Sequence, residues 1–281
     1  MTAALKALQL KARRQVYTLL SGQNLSKLHG EGYDFSELRE YQMGDDIRKI
    51  NWMISSKLGK PYIKELLANR ELSVVVCALM DSSLHFGSLN SNQSNAKQIK
   101  LTEVATLLSY ATLQNNDIFT GLCYTQQRTS STPPTKQPYH IEQFSKTLFD
   151  KKLLGTTLHY PHAIEDLFKR VYKPSLIFVL GDFLEKVDLS LLAQKHEVIA
   201  IIIRDTEEES PKNLGEVTLS NPQDSHTLDT YFGTKSINTY LSKLKEHDTL
   251  MIEHFSQHNI RYVKIFTHDE AVSKLIQLFN A

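Results

Sequence analysis

One stretch constrains the fold more than any other: Val74-Val75-Val76-Cys77-Ala78-Leu79-Met80-Asp81-Ser82-Ser83-Leu84-His85-Phe86-Gly87. An apolar run led by three β-branched valines passes without a polar break into Asp-Ser-Ser and stops at a glycine. A run of that length, closed by polar and turn residues, predicts a parallel strand buried on both faces. Open α/β sheets bind ligands beyond the carboxyl ends of their strands, which is where Asp81 would sit. Asp81 and Ser83 offer two hard oxygens within reach of a single divalent cation.

The pattern recurs downstream. Ser175 to Leu180 is a second apolar strand that ends in Gly181-Asp182. Further strands are expected over 117–124, 197–203 and 261–266, with an edge strand over 216–219. Helices are expected over 97–114, 139–149, 161–172 and 236–258, and from about 269 onward. This alternation predicts a doubly wound, mostly parallel α/β sheet covered on both faces. Residues 88–96 read as a polar loop, and Thr125 to Pro138, rich in Thr, Ser, Pro and Gln, as an exposed connector.

The first 71 residues read as an extension packed on a main domain over 72–281. Leu5, Leu8, Ala12 and Val16 recur at helical spacing among basic residues, which predicts an amphipathic helix docking its apolar stripe on that domain. The block that follows, Gly30 to Trp52, is polar and turn-rich, with a strand over 62–67 behind it. Asp45 or Asp46 could cap a short helix that carries Arg48 and Trp52 on one face. Such a network serves either as a partner-docking surface or as a structural polar cluster.

Composition narrows the function classes. A formal net charge of +1 argues against a nucleic-acid partner. No apolar run approaches the roughly 20 residues that span a bilayer, and the start lacks the pattern of a signal peptide. Cys77 and Cys123 both fall in expected strands, as buried thiols of a reducing, cytoplasmic setting would.

Gly30-Glu31-Gly32, Leu38-Arg39-Glu40-Tyr41 and Gly44-Asp45-Asp46-Ile47-Arg48-Lys49-Ile50-Asn51-Trp52 precede Asp81-Ser82-Ser83, Gly87 and Gly181-Asp182-Phe183. This series resembles the bacterial domain-of-unknown-function family 58, whose body is similar to von Willebrand factor A domains. The resemblance implies a metal-ion-dependent adhesion site and partnership with AAA+ ATPases of the MoxR type. In that site Asp81 and Ser83 match the first two ligands, Asp182 the distant Asp, and Thr156 the distant Thr, with Thr157 as a rival. His85 stands where the third ligand is usually Ser, and Asn51 where an Asp usually precedes the Trp. A nitrogen ligand suits Zn²⁺ or Mn²⁺ better than Mg²⁺, so a weakened Mg²⁺ site, an altered metal preference and a lost site all stay open.

The function expected on these grounds is a non-enzymatic adaptor for a MoxR-type ATPase. The alternative is a metal-dependent phosphohydrolase using Asp81, which would want a second acid where Ser83 stands. No Gly-x-x-x-x-Gly-Lys-[Ser/Thr] loop is present for nucleotide binding.

Overall fold

A computed structural model describes residues 3–21, 36–43, 45, 47, 50–66, 71–87, 94–126, 129–224 and 226–280. The chain divides into two compact units, Met1–Gly22 together with Leu72–Ala281, and Gln23–Glu71. The N-terminal helix α1 (Ala3–Ser21) therefore belongs to the larger unit.

In the smaller unit, β1 (Ser36–Glu40) pairs antiparallel with β2 (Tyr62–Leu66), and α2 (Trp52–Leu58) lies between them in sequence. Strand β1 was not expected, because Ser-Glu-Leu-Arg-Glu carries no apolar run to mark it.

The larger unit is an α/β structure with a six-stranded sheet. Its strands are β3 (Ser73–Leu79), β4 (Ile118–Tyr124), β5 (Ser130–Ser131), β6 (Leu176–Gly181), β7 (Glu197–Arg204) and β10 (Arg261–Phe266), in the order β10-β7-β6-β3-β4-β5. Every pairing is parallel except that of β4 with β5. The short β5 corrects the view of 125–138 as a plain connector: Thr132 accepts from Gly121 N–H through its hydroxyl, and Thr135 bridges to Phe119. Polar residues with no core to build can still satisfy an open sheet edge.

Period-two alternation divides the valine strand between two cores. Val74, Val76, Ala78 and Met80 join one apolar cluster, and Val75, Cys77 and Leu79 join the other. The first cluster lies under α3 (Ala96–Gln114), α4 (Pro138–Phe149) and α9 (Ala271–Asn280), and α1 seats its wholly buried Leu5 and Ala12 against α3 and α4. The second is covered by α5 (Tyr160–Arg170), α6 (Ser190–Ala193) and the C-terminal end of the long helix α8 (Thr234–Gln257), where Phe255 is wholly buried. Both cysteines are buried and free, and burial pushes the Cys123 thiol up to about 12.

Two details depart from expectation. The edge strand near 216–219 is β8 (Gly215–Ser220), which pairs with β9 (Thr227–Phe232) in a hairpin of its own. A one-turn helix α7 (Thr206–Glu209) follows β7, started by a capping box between Asp205 and Glu208.

Strand order places β4 on one side of β3 and β6 on the other. The chain builds outward through β4, then returns across β3 to begin β6. Sheets of this kind open a crevice at that reversal, outside the carboxyl ends of the strands.

Candidate functional site

Asp81 and Asp182 end the two strands that flank the reversal, β3 and β6. After Asp81 a 3-10 turn, Ser82–Leu84, folds back, and Asp81 caps it by accepting from Ser83 N–H at 3.0 Å. The Ser83 hydroxyl contacts both Asp81 Oδ1 and Asp182 Oδ2. Asp182 Oδ1 accepts from Leu184 N–H at 3.2 Å. Both carboxylates are almost wholly buried.

Three residues not foreseen from the sequence complete the cluster. Tyr160 donates its phenol to Asp81 Oδ2 at 2.5 Å. Lys97, in the first turn of α3, donates to Asp182 Oδ2 at 2.9 Å and to Glu208 Oε1 at 2.6 Å. Glu208 spends its other oxygen on Asp205 N–H in the capping box. The spacing Asp205-x-x-Glu208 was a legible helix-start signal. Nothing comparable marks Lys97, which opens the helix expected over 97–114.

The electrostatics follow from burial and from this one ammonium. Burial, reinforced by Asp182, raises the Asp81 carboxyl above its ordinary range. Burial pushes Asp182 the same way, but Lys97, the Ser83 hydroxyl and Leu184 N–H outweigh it, and its carboxyl is held low. Burial raises Glu208 despite Lys97. A hydroxyl has a single proton to donate, so Ser83 can donate to only one of the two carboxyl groups at a time.

The remaining expected ligands are placed less directly. Thr156 gives its carbonyl to Ser82 N–H at 3.2 Å and donates its hydroxyl to the Leu153 carbonyl at 2.6 Å. Thr157 lies at the rim, where its N–H donates to Gln126. His85 ends the 3-10 turn, half-buried, its N–H bonded to the Ser82 carbonyl. The Ser82 hydroxyl is buried with no partner among the described residues.

A divalent ion does not fit these side chains as they stand. Each carboxylate oxygen of Asp81 and Asp182 already accepts from a protein donor. A second cation on Asp182 would meet the Lys97 ammonium within a few ångströms, where each pair of unit charges costs about 4 kcal/mol at 4 Å near a protein surface. Among the described residues no cluster of three or more His, Cys, Asp or Glu has metal-holding geometry.

Beside the cluster lies a cleft of about 580 Å³ at the end of β4 and the start of α5, lined by Tyr124, Gln126, Thr157, His159 and His162 among others. His159 caps α5 through Nδ1, which accepts from His162 N–H at 3.2 Å. Backbone strain sits beside the second carboxylate, since Phe183, directly after Asp182, adopts φ 51°. A bulky residue in that left-handed region costs roughly 1–2 kcal/mol.

In the smaller unit, Asp46 and Arg48 lie outside the described residues. Asp45 accepts from Gln42 N–H at 2.8 Å. Helix α2 begins at Trp52 and is capped by Asn51, whose Oδ1 accepts from Ile54 N–H at 3.3 Å. Trp52 is thus the first residue of the helix, and it is 69% exposed, next to Met53 at 72%.

Among the described residues no helix is long and apolar enough to cross a membrane. The chain is 23% identical over 229 residues to the uncharacterized proteins Rv1480 of Mycobacterium tuberculosis and Mb1516 of Mycobacterium bovis, covering 79% of this chain and 71% of theirs. Among solved structures it is similar to the conserved hypothetical protein BatB from Bacteroides thetaiotaomicron, with a TM-score of 0.43 and 13% identity over 74% of this chain and 97% of that one. An aerotolerance-related membrane protein from Bacteroides fragilis gives a TM-score of 0.40 at 13% identity, over 74% of this chain and 96% of that one. The model of the protein of unknown function DUF58 matches residues 37–249, and on that match, which spans most of its length, the chain belongs to the DUF58 family.

Proposed function

We propose that the chain is a von Willebrand factor A-like binding module without catalytic activity, which engages a MoxR-type AAA+ ATPase at the carboxyl edge of its sheet. The observation that supports this most is the way Asp81 and Asp182 are held. They converge beside an open cleft, yet their oxygens are bound by Ser83, Tyr160, Lys97 and Leu184 N–H. Groups so fully engaged brace a surface; a phosphohydrolase would need Asp81 free to attack, and it is 2% exposed. The partner class comes from the family resemblance, and with no nucleotide loop of its own this chain would join ATP-driven work by docking.

A second reading keeps the divalent cation, Mg²⁺ or Mn²⁺, at Asp81, Ser83, Thr156 and Asp182 with His85 nearby, and lets a partner carboxylate complete its coordination. Two buried acids, Asp182 and Glu208, share one ammonium, and this reading requires Lys97 to leave Asp182 before an ion can bind. A third contact surface is the exposed Trp52–Met53 pair of the smaller unit.

One pull-down with the MoxR-type ATPase of the same genome separates them. Retention lost with Thr157→Arg, but unaffected by chelator or Trp52→Ala, supports the cleft edge. Loss with chelator supports the metal, and loss only with Trp52→Ala supports the smaller unit. Wild-type protein that retains no ATPase ends the adaptor proposal.

A further inference from the structure

We propose that the chain carries its own cation in this cluster: the Lys97 ammonium holds the electrostatic place of a divalent ion, and a latent metal site lies beneath it. The inference concerns the cluster alone and stands whether or not the docking reading does.

Lysine is almost never fully buried unless it is paired, and Lys97 is 0% exposed. Its ammonium joins three separate parts of the fold: its own helix α3, Asp182 after β6, and Glu208 in α7. The face of Phe86 lies 5.6 Å away on a further side. Two carboxylate oxygens and a ring face thus hold Nζ.

Helix α3 itself gives no reason for a cation at this point. The first turn of a helix is the positive end of its dipole and favours anions. Lys97 is therefore held by the carboxylates, and against the dipole of the element that carries it. Burial acts against its charge, yet Asp182 and Glu208 more than restore it.

The ammonium also opposes the repulsion that Asp81 and Asp182 would otherwise exert through the Ser83 bridge. An ammonium and a divalent ion are alternative solutions to the same problem, the desolvated charge of converging carboxylates. The difference is that the ammonium is tethered and cannot dissociate. Cutting its four-carbon stem back to alanine would free the volume that a hydrated ion needs, beside Asp182 and Glu208. Mn²⁺ suits the test because it accepts carboxylate oxygen and water ligands.

The experiment is thermal melting of the full chain in chelator and in millimolar Mn²⁺. Wild type should melt at the same temperature in both. Lys97→Ala should melt lower in chelator and rise by roughly 5 °C in saturating Mn²⁺, and adding Asp182→Asn should abolish the rise. Wild-type protein that is itself stabilised by Mn²⁺ through Asp182 would overturn the proposal, as would a folded Lys97→Ala variant that Mn²⁺ leaves unmoved. Should Lys97→Ala fold in neither buffer, Lys97→Met is compared with Lys97→Met/Asp182→Asn. A cooperative melt regained in the double variant supports the counter-cation role, and no gain rejects it.

Discussion

Tyr160 and Asp81 meet through a 2.5 Å hydrogen bond that ties the first residue of α5 to the carboxyl end of the central strand, across 79 residues of sequence. The phenol is buried and pushed far above its ordinary range, first by that burial and then by the Asp81 charge. It therefore stays protonated and always donates.

Tyr160→Phe removes that donor and leaves Asp81 Oδ2 buried without it. The expected cost is about 1–3 kcal/mol, the usual penalty for orphaning a buried polar group. Urea unfolding checks it, with faster amide exchange expected at the start of α5. An unchanged midpoint would mean that water or another group replaces the phenol.

Glu103 clamps α1 to the sheet domain by accepting from Lys11 on α1 at 2.8 Å and from Lys100 at 2.6 Å. Burial raises its carboxyl, but the two ammonium groups outweigh this and hold it below its ordinary 4.5. A depressed carboxylate stabilises the fold above its unfolded value and loses that contribution as pH falls through its folded one. Amide protection factors in α1, corrected for the intrinsic pH dependence of exchange, should therefore fall on acidification below the ordinary glutamate range. Glu103→Gln should show low protection already at neutral pH and a flatter dependence; parallel protection curves for the two proteins would refute the clamp.

Asn51 caps α2 in the smaller unit, at the position where the family resemblance leads one to expect Asp. Asn and Asp cap about equally well, so Asn51→Asp should leave α2 unchanged, whereas Asn51→Ala should cost about 1 kcal/mol. Exchange of the Ile54 amide reads this locally. Equal protection in both variants would show that the cap contributes nothing.

The apolar runs and their period determined a good deal without help. Val74 to Met80 and Leu176 to Leu180 are buried on both faces and end in Asp81 and Asp182, because an unbroken β-branched run has no polar face to offer water. The helices over 96–114, 138–149, 160–170 and 234–257 were legible from their amphipathic or apolar length. Tertiary structure alone decided what surrounds those carboxylates. Lys97 and Tyr160 carry no mark in sequence, since a buried lysine and an exposed one are spelled the same, and the helix-start spacing of Glu208 says nothing of its ion pair. Only the return of the chain across β3 brings α3, α5 and α7 to one point. The charge of a site is a sum over groups distant in sequence, and no local pattern encodes that sum.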